Sequence, residues 1–474
     1  MKPLDYPIAS RRALLGGMAA LAAGPLALRP GRAASSHVDV VIVGAGAAGI
    51  GAAIKLKQAG ISCLIVEAAN RVGGRALTDT TTFRGPGKSA VPFDIGCAWI
   101  HNYDAKYGDP FADWSRKLHF ETQAQDLGVT GLYYGSTPYS KLMVDMVGTG
   151  EDKIKKWIKH SVEDKHEDVA VGTLIEDRQK PMDASETYLG PMDMGVDVGD
   201  MSAADFDAMA EYDPNYLVRE GYGTLVKMVA LQGGLDIALG TAVTGIDYSG
   251  SGVNVHTGGR RPGVIDAKAV IVTVSTGVLA SGAITFTPPL PVEHRQAIDD
   301  VPMGLLAKIP LQIPGVGHYL DGILPYDNVL DENGGLDDIY FLAWPWNSDL
   351  MVGFVGGKFG WDLSRAGPKA AVAYARQKLG NLFGSSIARK VTRGLLTPWA
   401  TDPLVLGAYS AARPGRHASR KVLGRPVHDK LFFAGEATAP EGMFATCSGA
   451  YMAGTAAAAK IAEALGVHSP AAAP

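Results

Sequence analysis

Cysteine is almost missing from this chain: Cys63, Cys97 and Cys447 are the three in 474 residues. An odd count at wide spacing excludes a disulfide scaffold and offers no metal-ligand spacing. The eleven His are scattered, with no pair four apart on a helix beside an acid, so no metal centre is expected. An excess of basic residues is also missing. The formal charge is −4, which gives no footprint for nucleic acid. There is no internal repeat, and the 59 Gly follow no collagen-like period. Long apolar runs are scarce. The run from Ala13 to Leu28 is short for a bilayer and broken by Gly and Pro, so no stable membrane anchor is expected.

That run belongs to a recognisable leader. Ser10-Arg11-Arg12-Ala13-Leu14-Leu15 is a twin-arginine pattern, and small residues close the segment at Ala33-Ala34. Residues 1–34 read as a cleaved export signal, on a route that carries proteins already folded, often around a cofactor. The expected location is the periplasm. Without this segment, 39 Lys and Arg stand against 47 Asp and Glu, a net charge of −8.

The strongest local pattern follows at once. Val38 to Val43 is a buried-strand run, and Gly44-Ala45-Gly46-Ala47-Ala48-Gly49 comes directly after it. Ile50 to Gln58 reads as a helix, Ile61 to Val66 as a second strand, and Glu67 stands at its end. Gly44 permits the tight turn, Gly46 lets backbone approach a pyrophosphate at a helix N-terminus, and Gly49 lets helix and strand pack closely. Glu67 is placed to accept hydrogen bonds from ribose hydroxyls. A lone G-x-G-x-x-G is weak. Strand, glycines, helix, strand and acid in order favour a dinucleotide site.

Further segments share this character. Gly73-Gly74-Arg75 offers a turn and a cation near the pyrophosphate, and "FDIGCAWIH" runs from Phe93 to His101. "AKAVIVTVSTGVLASGAITFTPPLP" begins with a strand at Ala269 to Val274. Near the C-terminus, "LFFAGEATAPEGMFATCSGAYMAG" delivers Gly435-Glu436 to the tip of an apolar run, and a helix of small residues follows from Thr446.

Together with "VREGYGTLVKMV" and "WATDPLVLGAYS", these motifs resemble the flavin-containing amine oxidases, a grouping of monoamine, polyamine and L-amino-acid oxidases and flavin-dependent histone lysine demethylases. The resemblance runs from about Val38 to about Leu465. It is dense at both ends and from Val218 to Pro291, and diffuse elsewhere. It implies an α/β fold: a discontinuous Rossmann-like FAD-binding domain with an inserted α+β substrate domain. The FAD domain would comprise 36–103, 217–281 and 397–465, the substrate domain 104–216 and 282–396, and 466–474 a flexible tail. Cofactor contacts are implied at Gly44, Gly46, Ala48, Gly49, Glu67, Ala69, Gly74 and Arg75, and at Ala98, Trp99, Val243 and Trp399. Gly435, Glu436, Thr446 and Cys447 complete the set. Glu436 would approach the ribityl and phosphate region, and the last helix would aim its N-terminus at the pyrimidine end of the flavin. Monoamine oxidases carry a flavin-bonded Cys just before Tyr409; Ala408 stands here, so FAD should be non-covalent.

Three catalytic candidates follow. Strand alternation in "GLLAKIPLQIP" puts Ala307, Ile309 and Leu311 on one face and Lys308 and Gln312 on the other. The plain reading of Lys308 is a surface residue; the resemblance instead gives it a water at flavin N5. Tyr409 matches an aromatic wall before the flavin, whereas the opposite wall falls on Thr446, so the aromatic cage is incomplete. His101 matches a position where polyamine oxidases carry Glu or His facing the substrate. Residues 181–214 hold nine acids and no Lys or Arg, which suits a solvated loop or a channel wall attracting a polyamine.

The implied reaction is hydride loss from an amine's α-carbon to FAD, giving an imine that hydrolyses to an aldehyde or ketone. Electrons would pass to O2, giving peroxide, or to a periplasmic acceptor. Polyamine-type amines are expected first. L-amino-acid oxidation is the alternative and lacks an identified Arg for the carboxylate. A non-catalytic flavin-binding protein is the third reading.

Overall fold

The computed structural model describes residues 38–101, 108–176, 182–209, 214–320, 322–331 and 339–467. The twin-arginine segment and most of 466–474 lie outside them. An apolar strand β1 (Val38–Val43) leads through Gly44 into helix α1 (Ala47–Gln58), and strand β2 (Cys63–Glu67) lies parallel to β1. Gly44 takes φ +107, a conformation L side chains rarely adopt. A Cβ on Gly49 would lie 2.0 Å from the Gly44 carbonyl oxygen, so the third glycine of the motif serves the packing of α1 on β1.

These elements sit in an eight-stranded sheet. Its order is Ile237–Leu239, β2, β1, Gly263–Val272, Val253–Gly259, Thr241–Asp247 and Thr285–Thr287, with Leu431–Phe433 also paired to Gly263–Val272. The strand expected at Ala269 to Val274 starts earlier and ends at Val272. Its first half pairs antiparallel with Val253–Gly259 through exposed positions that carry little apolar signal, and its second half pairs parallel with Leu431–Phe433. Parallel register aligns Val43 with Val66 and with Val272, and Val272 with Phe433. The residues that follow, Gly44, Glu67, Thr273 and Ala434-Gly435-Glu436, therefore emerge in a row along the carboxyl edge of the sheet, where open α/β sheets bind ligands.

A second sheet of seven strands runs Arg393–Gly394, Leu306–Gln312, Leu350–Gly356, Tyr340–Ala343, Asn328–Asp331, Gly131–Tyr134 and Thr137–Pro138. Ala307, Ile309 and Leu311 point into a core with Ala371, Ala375 and Leu379 of helix Pro368–Phe383. Lys308 lies opposite Phe354 in the register, on the face turned toward the first sheet. A small sheet of Trp99–Ile100, Asn215–Val218 and Thr122–Gln125 stands between the two.

The sheets do not divide at the expected boundaries. Thr285–Thr287 pairs with Thr241–Asp247 beyond residue 281, and helix Val292–Asp300 joins the same core through Ala297 and Ile298. Helix Pro110–Lys117, beyond residue 103, packs Phe111 between Tyr222 and Tyr451. Among the described residues, no helix is long and apolar enough to cross a membrane, and no cluster of His, Cys, Asp and Glu could hold a metal.

Candidate active site

A cavity of about 460 Å³ runs along the carboxyl edge of the first sheet and reaches the face of the second. Its lining includes Val243 with its neighbours Ala242 and Thr244, and Thr446, Cys447, Tyr409 and Lys308. Gly44, Gly46, Ala48, Glu67, Ala69, Gly74 and Arg75 line it as well, with Gly435 and Glu436. Ala98, Trp99, His101 and Trp399 line it toward the second sheet. Of the residues expected at the site, Gly49 alone is away from the wall, behind the turn it packs.

Two observations bear on what the cavity fits. At Gly46 an added Cβ would meet no protein atom nearer than Gly74 Cα at 4.0 Å, and at Gly435 none within 4 Å. Their bareness therefore leaves room for something in the cavity rather than for protein. Gly46 is also the N-cap of α1 without a side-chain cap, and the first turn of α1 has no acid. Its leading N–H groups are free to take an anion such as a pyrophosphate. The residues present thus fit an anionic dinucleotide: bare helix amides and the Arg75 cation suit phosphates, and the Glu67 carboxylate suits hydroxyl donors.

Glu67 accepts hydrogen bonds from the backbone N–H groups of Ala45 and Ala69, each at 2.7 Å. Burial raises its pKa above the usual carboxylate range despite those bonds and nearby Arg71. Glu436 accepts from Arg75 Nη1 at 2.8 Å, from the Ser410 hydroxyl at 2.6 Å and from the Ser410 N–H at 3.2 Å. Burial pushes it up, but Arg75, the Ser410 hydroxyl and Arg420 outweigh burial and hold it below the usual range. Behind it, Arg420 Nη1 donates to Ser410 Oγ at 2.9 Å, and Arg420 Nε and Nη2 donate to Asp205 at 2.6 and 2.8 Å. His417 Nδ1 reaches the same carboxylate at 3.0 Å. Asp205 lies in the acid-rich stretch 181–214 and is fully buried, so that residue is neither solvated loop nor channel wall. Residues 181 and 210–213 lie outside the described residues.

Lys308 is 6% exposed. Its ammonium donates to the backbone carbonyls of Asp94 at 3.0 Å and Gly96 at 2.5 Å. The rings of Trp99, Phe354 and Phe93 surround it at 5.4, 5.9 and 6.0 Å. Burial brings its pKa down to about 8, partly resisted by Asp94 and Cys97. The buried, cavity-facing reading of this lysine therefore holds over the surface one. Tyr409 is half-buried with its hydroxyl donating to the Met192 carbonyl at 3.3 Å, and desolvation together with Asp193 and Glu436 raises its pKa. A Cβ on Gly195 would come within 3.1 Å of the Tyr409 ring, so that glycine seats the ring. Thr446 caps the last helix, Cys447–Ala464, by accepting from the Gly449 N–H at 2.9 Å.

Two contacts gave no sequence signal. The Trp99 indole donates to Gln125 Oε1 at 2.7 Å, and His101 Nδ1 meets Asn215 Oδ1 at 2.6 Å. Gln125 and Asn215 are direct cross-strand neighbours, so one sheet edge fixes both rings. Trp399 is held by its indole N–H on the Ile95 carbonyl at 3.0 Å. The small residues of the last helix also have a second use. A Cβ on Gly454 would lie 1.9 Å from the Ala48 carbonyl oxygen, so the helix lies against α1 backbone to backbone.

Comparison with known proteins agrees with this geometry. A rice polyamine oxidase 4 (Oryza sativa subsp. japonica) is 27% identical over 458 residues, covering 90% of this chain and 89% of that protein. The human lysine-specific histone demethylase 2 is 28% identical over 457 residues, covering 90% of this chain and 53% of that one. The Arabidopsis thaliana lysine-specific histone demethylase 1 homolog 3 is 26% identical, and there this chain spans 30% of the relative's length. Among solved structures, cyclohexylamine oxidase from Brevibacterium oxydans superposes with a TM-score of 0.73 at 21% identity, covering 91% of this chain and all of that one. Putrescine oxidase bound to putrescine superposes with a TM-score of 0.72 at 20% identity, covering 90% and 99%. These likenesses show the shared fold. The family model described as flavin containing amine oxidoreductase matches residues 47–462, and the chain belongs to that family.

Proposed function

We propose that this protein uses non-covalently bound FAD to oxidise a primary or secondary amine of polyamine type, with O2 as electron acceptor. What supports this reading above all is a buried lysine, Lys308, and a half-buried tyrosine, Tyr409, in the same cavity as the dinucleotide cradle. FAD supplies the two-electron acceptor for a hydride from the amine's α-carbon. The protein's part is positioning and charge. Tyr409 and Trp99 offer aromatic faces that attract an amine. Thr446 leaves the opposite wall open, which suits a long, unbranched amine. Lys308 is poised near pH 8 to hold a water or to stabilise developing negative charge. The chain matches a polyamine oxidase over nearly that protein's full length, and the longer demethylases over a part of theirs. We extend the proposal to export: the twin-arginine leader would deliver the folded, FAD-loaded protein to the periplasm.

A panel of amines and amino acids tests the reaction. Anaerobic bleaching of the flavin by a diamine, followed by peroxide on admitting oxygen, is expected; bleaching by L-amino acids alone would overturn the substrate class. Lys308→Met should keep FAD bound and slow one or both half-reactions about tenfold to a thousandfold. The step that depends on the ammonium should fall as pH rises through about 8, and the variant should lose that inflection. Acid precipitation should release all flavin. Replacing Arg11 and Arg12 with Lys should retain the protein in the cytoplasm.

A further inference from the structure

We propose that a second cavity, which meets the cofactor cavity at Ala98, Trp99 and Lys308, is the route by which O2 reaches the buried site, separate from the route of the amine. This cavity is about 400 Å³ in volume. The two linings share those three residues and no others, so the three form a common wall. Ala90, Arg219 and Asn347 in the lining are exposed, and there the cavity meets solvent. Its buried lining is apolar: Phe93, Leu217, Leu342, Leu350, Val352 and Phe354.

The charges in this lining are already answered within the protein. Its acids are Asp94 and Asp349, and its cations are Arg219 and Lys308. The Asp94 carboxylate accepts from the Thr78 hydroxyl at 2.6 Å and the Tyr222 N–H at 2.9 Å, and Asp349 Oδ1 accepts from the Gly315 N–H at 2.9 Å. Arg219 pairs with Glu121 at 2.8 Å, and the Lys308 ammonium is held by two backbone carbonyls. This leaves no anchor for an ammonium and suits a neutral guest. O2 is apolar and uncharged, and it partitions from water into such surroundings. The common wall suits the same guest. The Trp99 indole is tied to Gln125 and Lys308 to its carbonyls, so a chain of methylenes finds no standing gap, whereas a diatomic gas passes on brief side-chain fluctuations. The mouth is built rather than incidental. Trp346 and Asn347 hold left-handed backbone at φ 61 and 52, the Trp346 N–H donates to the Tyr326 hydroxyl at 3.0 Å, and the Arg219 guanidinium lies 5.6 Å from the Trp346 ring.

The route rests on O2 being the acceptor, as proposed above. O2 takes two electrons and two protons from the reduced cofactor and leaves as hydrogen peroxide, so no further reactant is needed. The first test needs no turnover. Crystals of the flavin-loaded protein under xenon should show the gas between Phe93, Leu217 and Val352. The second uses flavin reduced by light without oxygen, so no amine enters it. Val91→Trp and Val352→Phe fill the cavity, one from a half-buried loop position and one from the buried wall. Each should slow reoxidation by O2 several-fold, while reoxidation by ferricyanide, a large hydrated anion, keeps the wild-type rate. No xenon in the second cavity, or wild-type rates with O2 in both variants, would overturn the route. Equal slowing with ferricyanide would do so too, because the effect would then lie on the flavin itself. Wild-type flavin that O2 reoxidises no faster than free flavin would overturn the acceptor named above and the route with it, whereas fast wild-type reoxidation that the variants leave unchanged overturns the route alone. The xenon arm uses the wild-type chain, so a variant that fails to fold does not shield the proposal.

Discussion

Glu67 and Glu436 occupy comparable places: each stands at or just beyond the carboxyl end of a strand of the same sheet, each is buried, and both line one cavity. Their proton affinities nevertheless move in opposite directions. Glu67 has two backbone N–H partners, and burial wins. Glu436 has a guanidinium in contact and a second one behind Ser410, and charge wins. Desolvation alone therefore does not decide the state of a buried acid; the supply of cations does. Glu436 is a fixed anion that holds Arg75 in place. Glu67 is held by two backbone N–H groups with no guanidinium in contact.

The largest expected effect comes from breaking the well-paired acid. Glu436→Gln leaves Arg75 without its carboxylate partner, while Arg420 keeps Asp205, at a cost of about 3 kcal/mol in denaturant unfolding near neutral pH. Because the folded pKa of Glu436 is lowered, its stabilisation is fully present above the unfolded value and is lost as pH falls through the folded one. The gap between wild type and variant should therefore shrink in acid. A gap that widens in acid would reverse the assignment.

Glu67→Gln should show the opposite trend. A raised folded pKa means the folded state holds the proton more tightly, so ionised Glu67 weakens the fold as pH rises past the unfolded value. In the flavin-free protein, the stability difference should move in the variant's favour from acid to neutral pH, within about 1 kcal/mol. FAD affinity, followed by flavin fluorescence, should fall about tenfold, the scale of one lost charge-assisted hydrogen bond.

Ser410→Ala sharpens the comparison with the smallest change. It removes the 2.6 Å hydroxyl contact to Glu436 and the acceptor for Arg420, while the Ser410 N–H still donates. A loss of about 1 kcal/mol is expected, with the acid unfolding transition moved to higher pH as Glu436 relaxes toward its ordinary range.

How far such residues were legible in the sequence depended on how local their reasons are. Gly44 and Gly49 act on a turn and a helix a few residues away, so the motif declared their roles. Strand alternation put Lys308 on the face away from Ala307 and Ile309, but only the family resemblance argued that this face is buried. Asp205, Arg420 and Gln125 were not legible. Their partners lie 26 to 215 residues away along the chain, and no period or turn rule links such positions. The small residues of Cys447–Ala464 carried a real signal with two causes, a bare helix N-terminus and close contact with α1, and the sequence could not separate them. The domain boundaries slipped because Thr285–Thr287 and helix Pro110–Lys117 complete the first core from within segments that otherwise build the second.

The long strand Gly263–Val272 has a consequence for biosynthesis. Its second half is bordered on one side by β1 and on the other by Leu431–Phe433. While the ribosome is still short of residue 433, that edge has no partner, and the wall carrying Glu436, Thr446 and Cys447 does not yet exist. Nascent chains should therefore be unable to complete this cavity until residue 447 has emerged. A stalled chain ending before Leu431 should present a bare strand edge to chaperones rather than a half-built site.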